Sequence, residues 1–269
     1  MSFQHRRPVR PLGINPQHPA VILGGVPCLA TTFPDAYDFM TGRFGQYTGT
    51  HITQTPDLGL IGGSTTNGTL SASDNVTFSG MPSLGSTLTV GMIFVATQVT
   101  TAMTAFISSG NNTSFDMRIN NPNLNLFISG VGTANTGVAV TAGVPYFAAC
   151  SSSNGLVAST VLLRNLLSGT ITSNVSGRVT TDGNGTFMVG GNGGSRSFQG
   201  QIAMCAAFPV YLGLDGLLAW AADPWGLFLE ARPRKFYFAN PAGSGAAPSV
   251  TYPQLERFGH RGAFRGMLH

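Results

Sequence analysis

Ten carboxylates are all the acid chemistry this 269-residue chain offers, and they are scattered. Hydrolysis of a glycosidic bond needs two carboxyl groups flanking one linkage, one as acid and one as base or nucleophile. The glutamates are Glu230 and Glu256, and the aspartates are Asp35, Asp38, Asp57, Asp74, Asp116, Asp182, Asp215 and Asp223. No two stand two residues apart, the spacing that puts a pair on one face of a strand. Asp35 and Asp38 are near each other, but in a stretch of turn residues. His5, His18, His51, His260 and His269 show no H-x-x-x-H spacing. The serine-rich stretches contain no G-x-S-x-G elbow. No catalytic residue is assigned, and the chain is expected not to be an enzyme.

Other chemistries fare little better. Gly190 to Gly194 reads GGNGG and is followed by a strand-like run. No helix N-terminus stands there to receive a phosphate, so it reads as a sheet turn. Calcium needs six or more oxygens. Asp74-Asn75 and Asp182-Gly183-Asn184 are the candidates, and both are also ordinary turn chemistry. No metal or cofactor is assigned. The cysteines Cys28, Cys150 and Cys205 are odd in number, without a CxxC, and read as buried free thiols. Contact with a sugar is what the residue types do allow, through aromatics and amides at loop tips. Tyr47, Asn111 and Asn112 are the candidate glycan contacts.

The elements that would position such residues are short strands. Leu88 to Val99 is apolar on both faces in its middle, as a central sandwich strand should be. FDMRINNPNLNLFIS alternates regularly across an Asn-Asn-Pro-Asn turn, which predicts a meander with one wet face. Tyr146 to Ser152 and Leu156 to Leu163 flank an Asn-Gly pair, the strongest hairpin signal in the chain. Val21 to Leu23 is expected as a first short strand, Phe33 to Gln46 as loop or short helix, and Val175 to Thr180 as a further strand. Residues 55–80 carry Gly-Gly and Asn-Gly hairpin signals. Thr186 to Val189 and the run opened by Phe198-Gln199-Gly200 complete the strands. A helix is expected over Leu214 to Ala222, with Asp215 in its first turn and Pro224 stopping it. Many short strands with turns roughly every 8–12 residues indicate a sandwich.

Charged residues make up 9% of the chain, far below the roughly 25% usual for soluble domains. The net charge of +4 divides unevenly: +3 over residues 1–20, +2 over residues 250–269 and −1 over the rest. A nucleic-acid face clusters its charge on a folded surface, so specific nucleic-acid binding is not expected. Residues 1–20, with four prolines and three arginines, read as an extended basic arm that forms neither helix nor central strand. Residues 21–240 form the sandwich, 241–249 a small-residue linker and 250–269 a tail too apolar for a merely solvated end. Arg6, Arg7, Arg10, Arg257, Phe258, Arg261, Phe264 and Arg265 are the expected partner-docking residues. The basic N-terminus has no apolar run behind it, and no stretch reaches the about 20 apolar residues of a membrane span. Synthesis in the cytoplasm without membrane insertion is the expectation.

The strand pair around Asn154-Gly155, FMVGG, and FQGQIAMCAAF together resemble the concanavalin A-like (laminin G-like) jelly roll. The resemblance spans roughly residues 55–222. Asp223-Pro224-Trp225-Gly226-Leu227-Phe228, then Arg232-Pro233-Arg234, resembles the ending of concanavalin-like proteins encoded in tailed bacteriophages and prophages. His18 to Gly45 resembles their N-termini. The resemblance implies an all-β jelly-roll sandwich with one short helix near its C-terminal end. Glucanases of that fold carry an E-x-D-x-x-E run, and this chain has none. Trp225 and Phe228 are expected to pack over the open sandwich edge. The function implied is a non-enzymatic virion structural protein (capsid decoration, head–tail connector or tail and fibre accessory), present as a homo-oligomer among other virion proteins. The alternative is a lectin-like module that binds a host surface glycan.

Overall fold

The computed structural model describes residues 11–33, 35–49, 74–82, 87–100, 102–108, 115–128, 132–153, 159–176, 185–191 and 196–230. Two antiparallel seven-stranded sheets pack face to face. The first runs, in spatial order, β13 (Ile171–Ser176), β12 (Ser159–Asn165), β11 (Pro145–Ser153), β6 (Thr87–Ala96), β15 (Gly200–Phe208), β2 (Leu29–Thr32) and β3 (Tyr37–Asp38). The second runs β10 (Gly132–Ala139), β9 (Asn123–Ile128), β8 (Phe115–Asn120), β7 (Met103–Ser108), β14 (Thr186–Val189), β5 (Asn75–Ser79) and β4 (Gln46–Thr48). A two-stranded ribbon joins β1 (Pro11–Ile14) to β16 (Phe228–Glu230). Helices α1 (Pro19–Gly24) and α2 (Gly213–Ala222) and a 3-10 turn (Pro224–Leu227) complete the fold. No helix among the described residues is long and apolar enough to cross a membrane.

Alternation along β6 decides the core. Val90, Met92 and Phe94 point between the sheets, where they meet Phe106, Phe115 and Phe187 of the second sheet. Phe106 stacks against Phe187 at 5.4 Å. The intervening residues of β6 face the other way, into a second apolar layer. There Ile93, Phe147, Leu162, Met204 and Phe208 are roofed by α2, Trp225 and Leu227. Both faces of the first sheet are therefore covered, which is why its central strand is apolar from Val90 to Ala96.

Helix α2 is held at both ends by the sheet beneath it. Leu212 at its N-cap offers no side-chain acceptor. Ser151 Oγ instead accepts from Leu212 N at 2.9 Å and from Gly213 N at 3.3 Å. Thr89 Oγ1 shares the Leu212 amide at 3.2 Å. At the other end the Arg164 guanidinium donates to the carbonyls of Ala221 and Ala222, placing a cation at the negative pole of the helix.

Several expectations are corrected. Val21 to Leu23 is helical: Pro19 starts α1, the ring of His18 accepts from Ala20 N at 3.2 Å, and Gly25 ends it at φ 70°. The arm expected over residues 1–20 does not extend past Pro11, because Pro11–Ile14 pairs with Phe228–Glu230. Asn15 Nδ2 then donates to Gly226 O at 2.9 Å, and His18 Nε2 bonds Asp223 O at 2.9 Å. Phe33 to Gln46 contains strand β3 and the start of β4, organised by Asp38, whose carboxylate accepts from the amides of Ala30, Met40 and Thr41. The strand expected from Val175 begins earlier, at Ile171, and pairs with β12 through Ser176. Trp225 and Phe228 are buried on the outer face of the first sheet, in the same apolar cluster as α2, rather than over an open edge. Of the hairpins expected over residues 55–80, only β5 lies within the described residues.

Candidate functional site

Strand β8 reads FDMRIN. Phe115, Met117 and Ile119 point into the core between the sheets, so Asp116 and Arg118 lie on the outer face of the second sheet. The ladder places Thr104 of β7 and Asn125 of β9 directly opposite Arg118. Leu124 and Leu126 enter the core, which turns Asn125 outward as well. The result is a polar row across three neighbouring strands. This face was expected to be wet, and it is not. Thr104 and Asp116 are 0% exposed, Asn125 1% and Arg118 6%.

Within the row, Arg118 Nε donates to Asp116 Oδ2 at 2.5 Å. Thr104 Oγ1 reaches the same oxygen at 3.4 Å. The Thr104 amide donates to Arg196 O at 3.2 Å. Burial pushes the Asp116 carboxyl up to about 6, against the opposing pull of the Arg118 and Arg196 guanidinium groups. The same desolvation lowers the pKa of Arg118. Asp116 Oδ1 and Asn125 Oδ1 are buried and accept no hydrogen bond among the described residues. An acceptor left so costs about 1–3 kcal/mol. The row thus presents two unused acceptors beside a guanidinium donor and a hydroxyl, the set that binds adjacent hydroxyls of a polyol.

The residues singled out in the sequence are placed differently. Tyr47 lies on β4, with three strands between it and β8. It packs half-buried against the inter-sheet core, and burial pushes its phenol up to about 12, aided by Asp35. Asn111 and Asn112 lie outside the described residues, within the connection between β7 and β8 that leads to Asp116. Arg6, Arg7, Arg10, Arg257, Phe258, Arg261, Phe264 and Arg265 also lie outside them. Of the calcium candidates, Asp182 to Asn184 is outside as well. Among the described residues no group of His, Cys, Asp or Glu side chains could hold a metal ion. Of GGNGG, expected as a sheet turn, only Gly190 and Gly191 lie within the described residues. Gly190 N donates to Ala105 O at 2.9 Å, and a Cβ at Gly191 would stand 2.2 Å from the Asp74 carbonyl. All three cysteines are free and buried, and burial pushes the Cys28 thiol up to about 12.

Asp116, Arg118, Thr104 and Asn125 were not singled out from the sequence. The D-x-R spacing on an alternating strand was the available signal, since it puts both charges on one face. Their partners on β7 and β9 follow only from register.

No family model and no curated protein matches the chain. Solved structures do share its architecture. Domain 4 of AbnA, a GH43 extracellular arabinanase from Geobacillus stearothermophilus, in complex with arabinotriose, superposes with a TM-score of 0.52 at 18% identity, covering 72% of this chain and 98% of that one. The botulinum neurotoxin serotype D binding domain superposes with a TM-score of 0.50 at 11% identity, covering 78% of this chain and 56% of that one. With two facing antiparallel sheets and a short helix near its C-terminal end, this chain is a jelly-roll β-sandwich.

Proposed function

We propose that the chain is a non-catalytic carbohydrate-binding, lectin-like domain that holds its glycan on the Thr104–Asp116–Arg118–Asn125 row. The observation that carries this reading is the pair of buried acceptors without partners among the described residues, Asp116 Oδ1 and Asn125 Oδ1, beside the Arg118 guanidinium. Sugar hydroxyls satisfy both oxygens while donating no charge. The arabinanase domain of like architecture is found with arabinotriose, so such a sandwich accommodates a short glycan. One carboxylate in the row, neutralised by an arginine, suits recognition rather than glycosidic hydrolysis, which needs two. The row is shielded from solvent, so a ligand binds only the conformations that expose it, which lowers the apparent affinity by the fraction exposed.

The test is a glycan array on the full chain, followed by calorimetry with the best oligosaccharide. Asn125→Ala removes a partnerless acceptor, so stability should hold or rise while affinity falls roughly tenfold or more. Tyr47→Ala should leave affinity unchanged. Absence of any bound glycan, or full affinity in Asn125→Ala and Asp116→Asn alike, refutes the assignment.

A virion context is a second reading, favoured by the ends of the described fold. Pro11 pairs with Glu230, so residues 1–10 and 231–269 attach at adjacent positions. They carry +3 and +5 against −4 for residues 11–230. Two basic segments joined at one point suit attachment of a glycan-binding body to an acidic surface of a particle. If particles assembled with the 242–269 deletion retain the protein in full copy number, that tail is not the attachment.

A further inference from the structure

The two lateral edges of the sandwich are built differently. One side ends in β3 and β4, two and three residues long. Strands that short offer little to an incoming chain. The other side ends in β10 and β13. β10 is interrupted by a register shift between Asn135 and Val138. β13 is regular: six consecutive residues pair with β12 without a bulge. It reads ITSNVS, without a charge or a proline. The strand itself therefore carries no charge, proline or bulge of the kind that blunts an edge.

The ladder decides which backbone groups β13 turns outward. Asn165 N donates to Thr170 O at 2.9 Å, which sets the alternation of bonded pairs. Thr172 and Asn174 therefore bond β12, while Ile171, Ser173 and Val175 direct N–H and C=O away from it. The Val175 amide agrees with this: it donates to the side chain of Asn174, at 2.8 Å, rather than to β12. Ile171, Ser173 and Val175 oppose Arg164, Leu162 and Thr160. Leu162 belongs to the apolar layer under α2, so Ile171 and Val175 lie on the helix side of the sheet. They are 40% and 56% exposed, and Leu167 in the adjoining turn is 76% exposed.

We propose that β13 is a dimerisation strand. The β13 of a second copy adds antiparallel about a two-fold axis at Ser173, joining two sheets into one continuous sheet. In that register Ile171 faces the partner's Val175, Thr172 faces the partner's Asn174, and Ser173 faces its own copy. Apolar residues meet apolar ones, polar residues meet polar ones, and no charge is buried. A slip of two residues either way sets Ile171 or Val175 against a serine, so the register is specified by the side chains. The three outward residues exchange both backbone bonds with their opposites, and the Asn174 cap on Val175 gives way to a carbonyl of the partner. This self-complementarity selects a second copy over an unrelated peptide as the occupant.

Sedimentation equilibrium of the full chain, up to tens of micromolar, tests the proposal. The wild type should shift from the mass of one chain to that of two as concentration rises. Ser173→Pro removes an amide that faces outward, so it breaks no bond of the monomer. Val175→Lys sets a charge on the helix-side face of the edge strand. Both variants should stay monomeric over the same range. Should Ser173→Pro fail to fold, Val175→Lys decides alone. A wild type that stays monomeric throughout, as it would if the edge takes a different peptide, overturns the proposal. So does a dimer that persists unchanged in Val175→Lys.

Discussion

Replacing Gly91 with alanine tests how the helical layer sits on the first sheet. Gly91 lies at the middle of β6, between Ala149 of β11 and Ala206 of β15. These three small residues form the floor of a trough. Phe147 and Phe208 are its walls, 5.3 Å and 5.2 Å from the Trp220 ring that fills it. An alanine Cβ at position 91 would stand 2.5 Å from Trp220 Cη2, 2.7 Å from Cζ3 and 2.8 Å from Cζ2. Ordinary contact begins at 3.4 Å, so the ring must retreat by roughly 1 Å. It cannot turn aside between two phenylalanines, so α2 must lift, loosening its bonds to Ser151 and Arg164. Overpacking of this kind costs about 1–3 kcal/mol, and replacing a strand glycine returns about 0.5–1 kcal/mol. The midpoints of the two ranges leave a net loss of about 1 kcal/mol. Trp220 and Trp225, the two tryptophans of the chain, both lie in this layer. Urea unfolding followed by tryptophan emission therefore reports on it directly. Trp220→Leu placed in the Gly91→Ala background should cost less than the two single changes together, by about 1 kcal/mol or more. Gly91→Ala as stable as wild type, or strict additivity in the pair, would refute the packing described.

Ser151→Ala removes the acceptor that Leu212 and Gly213 share at the start of α2. A loss of about 1–2 kcal/mol is expected, with faster hydrogen exchange at those amides and unchanged exchange in β8. Two buried groups should make stability depend on pH in opposite senses. Burial lowers the His18 pKa below its ordinary 6.5, so its contribution is whole above 6.5 and is lost as pH falls below that value. Asn caps helices without titrating, so His18→Asn should flatten the decline between pH 7.5 and 5.5 in denaturation midpoints. A decline as steep in His18→Asn as in wild type would exclude His18 as its source. Asp116, raised to about 6, contributes most below its unfolded value of 3.8 and loses that contribution as pH rises through about 6. A carboxyl titration of Asp116 that stays near 4 by NMR would contradict its burial.

Local patterns carried much of the fold. β6, the β8–β9 meander, the β11–β12 hairpin and β14 were legible because alternation and turn residues act over a few positions. The same holds for α2, which runs Gly213–Ala222 and stops at Asp223-Pro224. The error at Val21 to Leu23 has a physical cause. That apolar triplet suits a strand by composition, but it is helical because His18 caps α1 through one ring nitrogen and bonds Asp223 O through the other. The second bond joins segments at opposite ends of the described fold.

What the sequence determined by itself is which residues share a face: the alternation of FDMRIN already put Asp116 and Arg118 on one side and Phe115, Met117 and Ile119 on the other. What lies beside and over that face was decided only by the tertiary structure. Register brought Thr104 and Asn125 to either side of Arg118. Packing closed the row from solvent and lifted the Asp116 carboxyl. Periodicity is a property of one strand, whereas burial and desolvation depend on everything packed against it, and no local pattern records that.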